Sequence, residues 1–246
     1  MGSEMCIRDR IDINPLPTLT NGGDQTICQG DTVQIEAFGG ITFNWISPDS
    51  INDPSISNPL VWPDTTTICQ VLVSDVNTCE DTTEITVFVN PKPNIDAGPD
   101  QFICIGDSTS LSASGNAITY TWDNGVLDGV NFLVSSDQQY ILTGTDANNC
   151  VNSDTVYISV IQLPNIDAGN DVSICLDDSI QLNASGGATY SWSPITNISN
   201  ANVVDPFVFP GSDTKYYVTG TDTNGCTNID SVQITIDALP LSLIHI

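Results

Sequence analysis

The feature that most constrains the fold of this 246-residue chain is a segment that occurs three times in tandem. Corresponding cysteines, Cys28, Cys104 and Cys175, lie 76 and 71 residues apart. The three copies open on Asn21-Gly-Gly-Asp-Gln-Thr-Ile-Cys28, Ala97-Gly-Pro-Asp-Gln-Phe-Ile-Cys104 and Ala168-Gly-Asn-Asp-Val-Ser-Ile-Cys175. Self-similarity at such a period is typical of an array of small structural units.

The pattern within each copy is that of β-strands throughout. Apolar residues alternate with polar ones in the last strand of every copy, and an aromatic-x-Trp strand lies near the middle. The alternating sets are Ile85/Val87/Val89, Val156/Ile158/Val160 and Val232/Ile234/Ile236, and the aromatic pairs are Phe43/Trp45, Tyr120/Trp122 and Tyr190/Trp192. No segment has a convincing helical period. The sequence therefore predicts an all-β chain, a tandem array of three small Ig-like antiparallel β-sandwiches.

The repeat boundaries follow from prolines that precede each opening motif. We expect repeats over residues 17–90, 91–162 and 163–238, with residues 11–16 as the end of a preceding repeat. Residues 239–246 are expected to contain the start of a truncated fourth repeat, followed by a terminal segment. Residues 1–10 and 241–246 resemble translated sequencing-adapter DNA, since they correspond to reverse-complementary strands, and such segments are set aside before the fold is considered.

The net charge of the chain limits the classes of molecule that it is expected to bind. The formal net charge is −26 at pH 7, with four basic and 30 acidic residues. Phosphate binding needs clustered Lys and Arg, so neither nucleic acid nor an anionic membrane surface is an expected partner. No apolar run is long enough to span a bilayer, so we expect no membrane insertion. Catalysis is not expected either, because His245, the single histidine, lies in the terminal segment and the acidic residues recur in all three repeats.

One family shares the motif string of this chain. The pattern Ala-Gly-x-Asp-x-x-Ile-Cys, a Trp strand and then Thr-Asp-x-Asn-x-Cys resembles the PKD-like and Ig-like repeats of large secreted Bacteroidetes proteins. The resemblance covers nearly all of residues 15–238. It implies Ig-like or PKD-like sandwiches and a place in a secreted or cell-surface protein, some relatives being gliding-motility-associated adhesins. The first repeat departs from the pattern, with Asn21 in place of Ala and Cys69 in place of a tyrosine.

Six cysteines fall into one pair per repeat: Cys28/Cys79, Cys104/Cys150 and Cys175/Cys226. We expect one disulfide within each repeat, formed in an oxidising compartment. Pairing between neighbouring repeats, such as Cys28 with Cys150, is the alternative. Cys69 is expected to be a buried free thiol, with pairing to Cys28 as its alternative.

Two further sets of residues are candidate sites. Calcium could bind where acidic residues meet near the repeat junctions, whereas the alternative is that each Asp caps a turn. The calcium candidates are Asp96, Asp100, Asp146, Asp167, Asp171 and Asp222. No other cofactor is required. Trp62 has no tryptophan counterpart in the other repeats, and it is either a sugar-stacking residue or a partly buried edge aromatic. Trp45, Trp122 and Trp192 are expected in the cores.

These observations favour a non-catalytic structural or adhesive stalk segment of a secreted or cell-surface bacterial protein. The alternatives are a carbohydrate- or protein-binding module and a spacer within a secreted multidomain hydrolase. The expected partners are neighbouring repeats of the same chain, with a glycan or a surface protein as further candidates.

Overall fold

The computed structural model describes residues 13–46 and 50–237, which form 22 short strands. These residues include no helix and therefore none that could cross a membrane. The predicted all-β Ig-like class is confirmed. The terminal segments 1–10 and 239–246 lie outside the described residues, and the division of the chain into three domains stays a prediction.

The strands of the first repeat begin after the proline-rich opening. They are β1 Thr20–Asn21, β2 Gln25–Cys28, β3 Val33–Gln34, β4 Ala37–Phe38, β5 Thr42–Trp45, β6 Leu60–Val61, β7 Thr67–Ser74 and β8 Glu80–Asn90.

The second repeat reproduces this order, and the third does so without counterparts of β1 and β4. The second contains β9 Ile95–Asp96, β10 Gln101–Cys104, β11 Ser108–Thr109, β12 Ser114–Gly115, β13 Thr119–Trp122, β14 Phe132–Leu133, β15 Gln138–Thr145 and β16 Val151–Ile161. The third contains β17 Val172–Cys175, β18 Ile180–Gln181, β19 Thr189–Ser193, β20 Phe207–Val208, β21 Thr214–Thr221 and β22 Thr227–Asp237.

Each repeat contains the same four-stranded sheet. Its strand orders are β2-β8-β7-β5, β10-β16-β15-β13 and β17-β22-β21-β19. The two long C-terminal strands of the repeat lie at the centre of the sheet, with the aromatic strand on one side and the strand ending at the first cysteine on the other. Shorter two-stranded pairs accompany the sheets: β1-β4 and β3-β6, β9-β12 and β11-β14, and β18-β20.

One pairing in every repeat departs from the predicted antiparallel sheets. β2 runs parallel to β8, β10 to β16, and β17 to β22, while the central hairpins and the aromatic strands pair antiparallel. Parallel partners need a long connection, and here that connection is the rest of the repeat. The parallel strand brings the first cysteine of each repeat beside the end of the last strand, as in the register Cys28↔Asn90.

The core of each outer repeat lies between its four-stranded sheet and its short strands. In the first repeat, Ile35, Ala37 and Val61 of the short-strand layer pack against Trp45 and residues of the long hairpin. The third repeat has a corresponding cluster around Trp192 and Tyr216. The first two inward positions of each last strand are buried as the alternation predicted, whereas Val89, Val160 and Ile236 are half-buried. The three tryptophans on the aromatic strands are confirmed as core residues at 4%, 9% and 1% exposure.

A glycine recurs where the chain enters each repeat. Gly39, Gly115 and Gly186 have φ of 109°, 132° and 89°, a region that L side chains rarely adopt. A Cβ built at these positions would lie 1.9–2.2 Å from the carbonyl oxygen of Thr18, Asn94 or Asn165. Only glycine therefore permits the segment that enters each repeat to pass this close to the residues before the aromatic strand.

The described chain divides into two compact units. The first comprises residues through Ala97 together with Ala113–Trp122 and Ile141–Asp154. The second comprises Gly98–Ser112, Asp123–Tyr140 and the residues from Thr155 onward. Each unit thus holds one complete outer repeat and a share of the middle repeat.

Trp45→Ala should destabilise the first unit by about 3–5 kcal/mol, the usual cost of truncating a buried Trp. Trp45 is 4% exposed, and its Nε1 donates to the carbonyl oxygen of Ile56 at 2.9 Å. Trp62→Ala in the same repeat is the matched control, because Trp62 is 42% exposed. Urea unfolding followed by far-UV circular dichroism measures both; equal losses in the two variants would contradict the assigned core.

Candidate functional site

The second cysteine of each repeat is fixed by an Asp-centred turn. In the middle repeat, Oδ1 of Asp146 accepts hydrogen bonds from the backbone N–H groups of Asn148 and Cys150, both at 2.8 Å. The N–H of Asp146 in turn donates to the carbonyl oxygen of Cys150 at 3.0 Å. Asn149 between them adopts a φ of 62°, which Asn tolerates better than most residues. The carboxylate thus determines the direction in which the cysteine leaves the turn.

The first cysteine ends the parallel strand and is followed by a tight turn. In the middle repeat, the N–H of Asp107 donates to the carbonyl oxygen of Cys104 at 3.0 Å, and Gly106 has a φ of 93°. Asp100, the residue before this strand, accepts at Oδ1 from the N–H of Tyr157 on the last strand at 2.8 Å. This hydrogen bond holds the start of the strand that carries Cys104 against β16, its neighbour in the four-stranded sheet.

The disulfides join successive repeats. Cys28 of the first repeat is bonded to Cys150 of the second, with Cα atoms 5.5 Å apart. Cys104 of the second repeat is bonded to Cys226 of the third, with Cα atoms 5.6 Å apart. Both distances are ordinary for disulfides, and the sequence separation is 122 residues in each case. The rule is that the first cysteine of one repeat bonds the second cysteine of the next.

The pairing within repeats predicted from the sequence is therefore wrong, and the alternative between neighbours is the observed one. The physical reason lies in the fold, since the parallel strand and the Asp turn place the bonded cysteines of successive repeats side by side. The sequence held one signal that could have revealed this. The separation between bonded cysteines is constant at 122, whereas the within-repeat separations vary as 51, 46 and 51.

Bonds of this span constrain the unfolded chain strongly. In the chain-entropy account, closing a loop of this length stabilises the native state by about 5 kcal/mol. A core of the size that one repeat supplies is marginal by itself. Because each bond joins two repeats, a repeat that unfolds stays joined to its neighbour by a disulfide as well as by the backbone.

Three cysteines are free among the described residues: Cys69, Cys79 and Cys175. Cys69 is fully buried, as predicted, and burial raises the pKa of its thiol. Pairing of Cys69 with Cys28 is wrong, because Cys28 bonds Cys150. Cys79 is half-buried and Cys175 is exposed. Neither forms the disulfide that was predicted for it, because the predicted partners, Cys28 and Cys226, are bonded to other cysteines.

The carboxylates proposed as calcium ligands accept hydrogen bonds from their own chain. Asp171 accepts from the N–H of Gln233 at 2.8 Å, and Asp167 from the N–H of Gly169 at 2.9 Å. Asp222 accepts at Oδ1 from two backbone N–H groups in the same manner as Asp146. Oδ2 of Asp96 accepts a hydrogen bond from the hydroxyl of Ser114 at 3.3 Å. Asp146, Asp167 and Asp222 thus have the turn-capping role that the sequence left as the alternative. The bonds of Asp171 and Asp96 instead join residues that are distant in the sequence.

Within residues 13–46 and 50–237, no group of three or more His, Cys, Asp or Glu side chains is placed to hold a metal ion. Calcium binding by Asp96, Asp100, Asp146, Asp167, Asp171 and Asp222 stays a prediction from the sequence.

Trp62 follows the short strand β6 and presents 42% of its surface to solvent. Its backbone N–H donates to the carbonyl oxygen of Ser50 at 3.1 Å, which holds the backbone of the residue. Phe209, at the corresponding position of the third repeat, is 49% exposed. Stacking of a sugar on Trp62 stays a prediction.

No family model matches the chain, and no curated protein matches it. Among solved structures it is similar to the N-terminal eight Ig domains of Down Syndrome Cell Adhesion Molecule isoform 1.30.30, at 12% identity and a TM-score of 0.38 over 89% of this chain and 35% of that chain. It is also similar to the I9–I11 tandem of titin, at 11% identity and a TM-score of 0.36 over 90% of this chain and 100% of that chain. The chain thus spans about a third of the first of these structures. Both TM-scores lie below 0.5. The all-β, Ig-like fold class therefore rests on the strand order of the chain itself.

Thiol labelling should separate the free cysteines into two groups. With N-ethylmaleimide at neutral pH, Cys79 and Cys175 should react in the native protein, because both are accessible. Cys69 should react only after unfolding, since it is buried and the raised pKa of its thiol leaves little thiolate. Mass spectrometry of the labelled peptides gives the extent at each position. Native labelling of Cys28 or Cys104 would contradict the assigned bonds.

Asp146→Ala should destabilise the turn before Cys150 by about 1–2 kcal/mol, because two backbone N–H groups lose their acceptor. Asp146→Asn is the matched control, since its side-chain oxygen can accept the same bonds, and it should keep most of the stability. Thermal unfolding of the oxidised protein measures the difference. If the two variants were equally destabilised, charge rather than hydrogen bonding would hold the turn.

Proposed function

We propose that this chain is a non-catalytic structural or adhesive segment of a secreted or cell-surface protein. The observation that carries the proposal is the disulfide connectivity, in which each bond joins two successive repeats. A segment that must keep its repeats attached under load or proteolysis gains a covalent connection that outlasts local unfolding.

The disulfides also support a location outside the reducing cytosol. Structural disulfides form and persist in oxidising compartments, and the described residues contain two of them. The large negative charge fits an extracellular role, since it keeps long chains soluble and apart. The finer proposal, a repeat of the kind found in Bacteroidetes surface adhesins, is supported by the opening and closing cysteine motifs alone.

The order of the bonded cysteines along the chain has a mechanical consequence. The residues run Cys28, Cys104, Cys150 and Cys226, so the two disulfide loops overlap. When the chain is pulled, the shortest covalent path starts at Cys28 and crosses the first disulfide to Cys150. It then follows the backbone back to Cys104 and crosses the second disulfide to Cys226. This path contains only the 46 residues from Cys104 to Cys150, compared with 198 residues along the reduced chain.

The carboxylates support the same role. They recur in each repeat and accept hydrogen bonds from backbone N–H groups at corresponding positions. Asp154 and Asp230, for example, accept from the N–H groups of Ala97 and Ala168, each at 2.8 Å. Acidic side chains used in this way hold strands and turns in place, and their threefold recurrence is that of scaffold residues.

We further propose neighbouring repeats as the principal partners of each repeat. A glycan or a surface protein is a second class of partner, and Trp62 is the side chain that supports it through its exposure. Aromatic rings that are accessible on one face can stack on sugars or fill a pocket of a protein partner.

Single-molecule pulling tests the mechanical role. Fully extended, the stretch from Cys28 to Cys226 should reach about 160 Å in the oxidised protein and about 690 Å after reduction, at roughly 3.5 Å per residue. Cys104→Ser or Cys28→Ser should each give about 270 Å, because a single remaining bond leaves 76 residues in the path. An oxidised protein that extends as far as the reduced one would contradict the proposal.

A further inference from the structure

We propose that the second repeat contains a pocket that binds a neutral hexose unit of a glycan. This middle-repeat pocket is a cavity of about 480 Å³, which lies within the usual size range of small-molecule sites. Its walls are the connection between β13 and β14, the strand β14, and the side chains of Gln138 and Tyr140 on β15. The inference rests on the glycan partner that the proposed function includes, whereas the structural role of the chain does not depend on it.

The middle-repeat pocket lies where the second repeat is shorter than its neighbours. Trp122 and Tyr140 are 18 residues apart, whereas the corresponding separation is 24 residues in the first and third repeats. In the third repeat this longer connection reaches the corresponding tyrosine, since the hydroxyl of Tyr216 donates to the carbonyl oxygens of Thr196 and Asn197 at 3.4 and 3.3 Å. The six fewer residues of the second repeat leave room beside Tyr140. A shortened connection in one repeat alone differs from the scaffold residues, which recur in all three.

Tyr140 presents a buried side chain to the pocket. The residue is 4% exposed, and its hydroxyl donates to Oε1 of Gln138 at 3.4 Å, which is long for a bond between two oxygens. Burial and, to a lesser extent, the nearby carboxylate of Asp123 raise the pKa of Tyr140. The hydroxyl is therefore protonated at neutral pH, and it can donate a shorter bond to an oxygen of a ligand.

The connection that forms one wall of the pocket is held by backbone hydrogen bonds. The N–H of Val126 donates to the carbonyl oxygen of Asp123 at 3.2 Å, which closes a tight turn. The N–H of Gly129 donates to the carbonyl oxygen of the buried residue Leu111 at 2.8 Å. The wall is thus attached to the core of the repeat, and a ligand would not have to order it on binding.

The lining combines apolar surface with neutral hydrogen-bonding groups. Apolar surface comes from three side chains: Leu127, Val130 and Phe132. Besides the Tyr140 hydroxyl, polar atoms come from three amide side chains: Asn124, Asn131 and Gln138. Amides both donate and accept hydrogen bonds, as the hydroxyl groups of a sugar do. A sugar ring has the matching division, with C–H groups on its faces and hydroxyl groups at its edge.

The charge of the pocket distinguishes a neutral sugar from an ionised one. Among the described residues that line it, none carries a charge. An ionised ligand would therefore lose hydration without gaining a counter-charge. An anionic sugar is disfavoured further by the net charge of −26 and by the carboxylate of Asp123 near Tyr140.

Titration of the oxidised protein with simple sugars tests the inference. The neutral probes are the methyl glycosides of glucose, galactose and mannose, and the charged counterparts are glucuronic acid and glucosamine. In heteronuclear NMR at millimolar sugar, at least one neutral glycoside should give saturable shifts of backbone amides in residues 124–133 and 138–140. The two charged sugars should leave these amides unshifted.

Gln138→Ala and Tyr140→Phe should each weaken binding of that glycoside by about three- to tenfold, since each removes one neutral hydrogen-bonding group. Gln139→Ala is the matched control, because this neighbour is exposed and does not line the pocket. Tyr216→Phe controls for the loss of a tyrosine hydroxyl in the third repeat. Both controls should bind as the unaltered chain does, and far-UV circular dichroism establishes that every variant is folded.

Three outcomes would overturn the inference. Equal weakening by Gln138→Ala and Gln139→Ala would show that the lining does not select the sugar. Shifts centred on Trp62 and removed by Trp62→Ala would place the sugar there instead. Absence of saturable shifts with all three neutral glycosides, in a folded protein, would show that the pocket does not take a hexose.

Failure of the pocket and failure of the proposed structural function are distinguishable. If no sugar binds while the oxidised chain keeps its short extension under force, the pocket is overturned and the structural function stands. If the oxidised chain extends as far as the reduced one while a neutral glycoside binds at residues 124–133, the structural function is overturned and the pocket stands.

Discussion

The covalent bond between successive repeats is the constraint on which the rest of this structure depends. A sandwich built from one four-stranded sheet and a few two-residue strands has a small core, and linking it to its neighbour compensates for that. Two local structural features make the bond possible. The parallel pairing of the first strand with the last brings one cysteine to the end of the sheet, and the Asp turn presents the other.

These two structural features account for part of the chain's acidity. Asp24, Asp100 and Asp171 each accept at 2.8 Å from a backbone N–H of the last strand, at Thr86, Tyr157 and Gln233 respectively. The Asp residues before the second cysteines organise their turns. A short carboxylate is well suited to such caps, so the net charge of −26 arises partly from structural use and adds solubility as a consequence.

The sequence correctly predicted those features of the fold that depend on local periodicity, namely the strands and their core residues. Alternation in the last strands identified Ile85, Val87 and their equivalents as core residues, and the recurring Trp positions proved buried. It did not predict the parallel pairing, because alternation with period two is the same for parallel and antiparallel partners. Nor did it predict the cysteine partners, since these depend on which ends of neighbouring sheets come together. Cys69 is the one cysteine that was correctly predicted to be a free thiol. It stands where the other repeats have a core tyrosine, so its burial could be predicted from its position in the repeat.

Peptide mapping of the oxidised protein under non-reducing conditions, with free thiols blocked beforehand, tests the central claim most directly. The account predicts two linked species, one joining the peptides that contain Cys28 and Cys150 and the other joining those that contain Cys104 and Cys226. Links of Cys28 to Cys79, Cys104 to Cys150 and Cys175 to Cys226 would contradict it. Each repeat would then be closed on itself, and no covalent bond other than the backbone would join one repeat to the next.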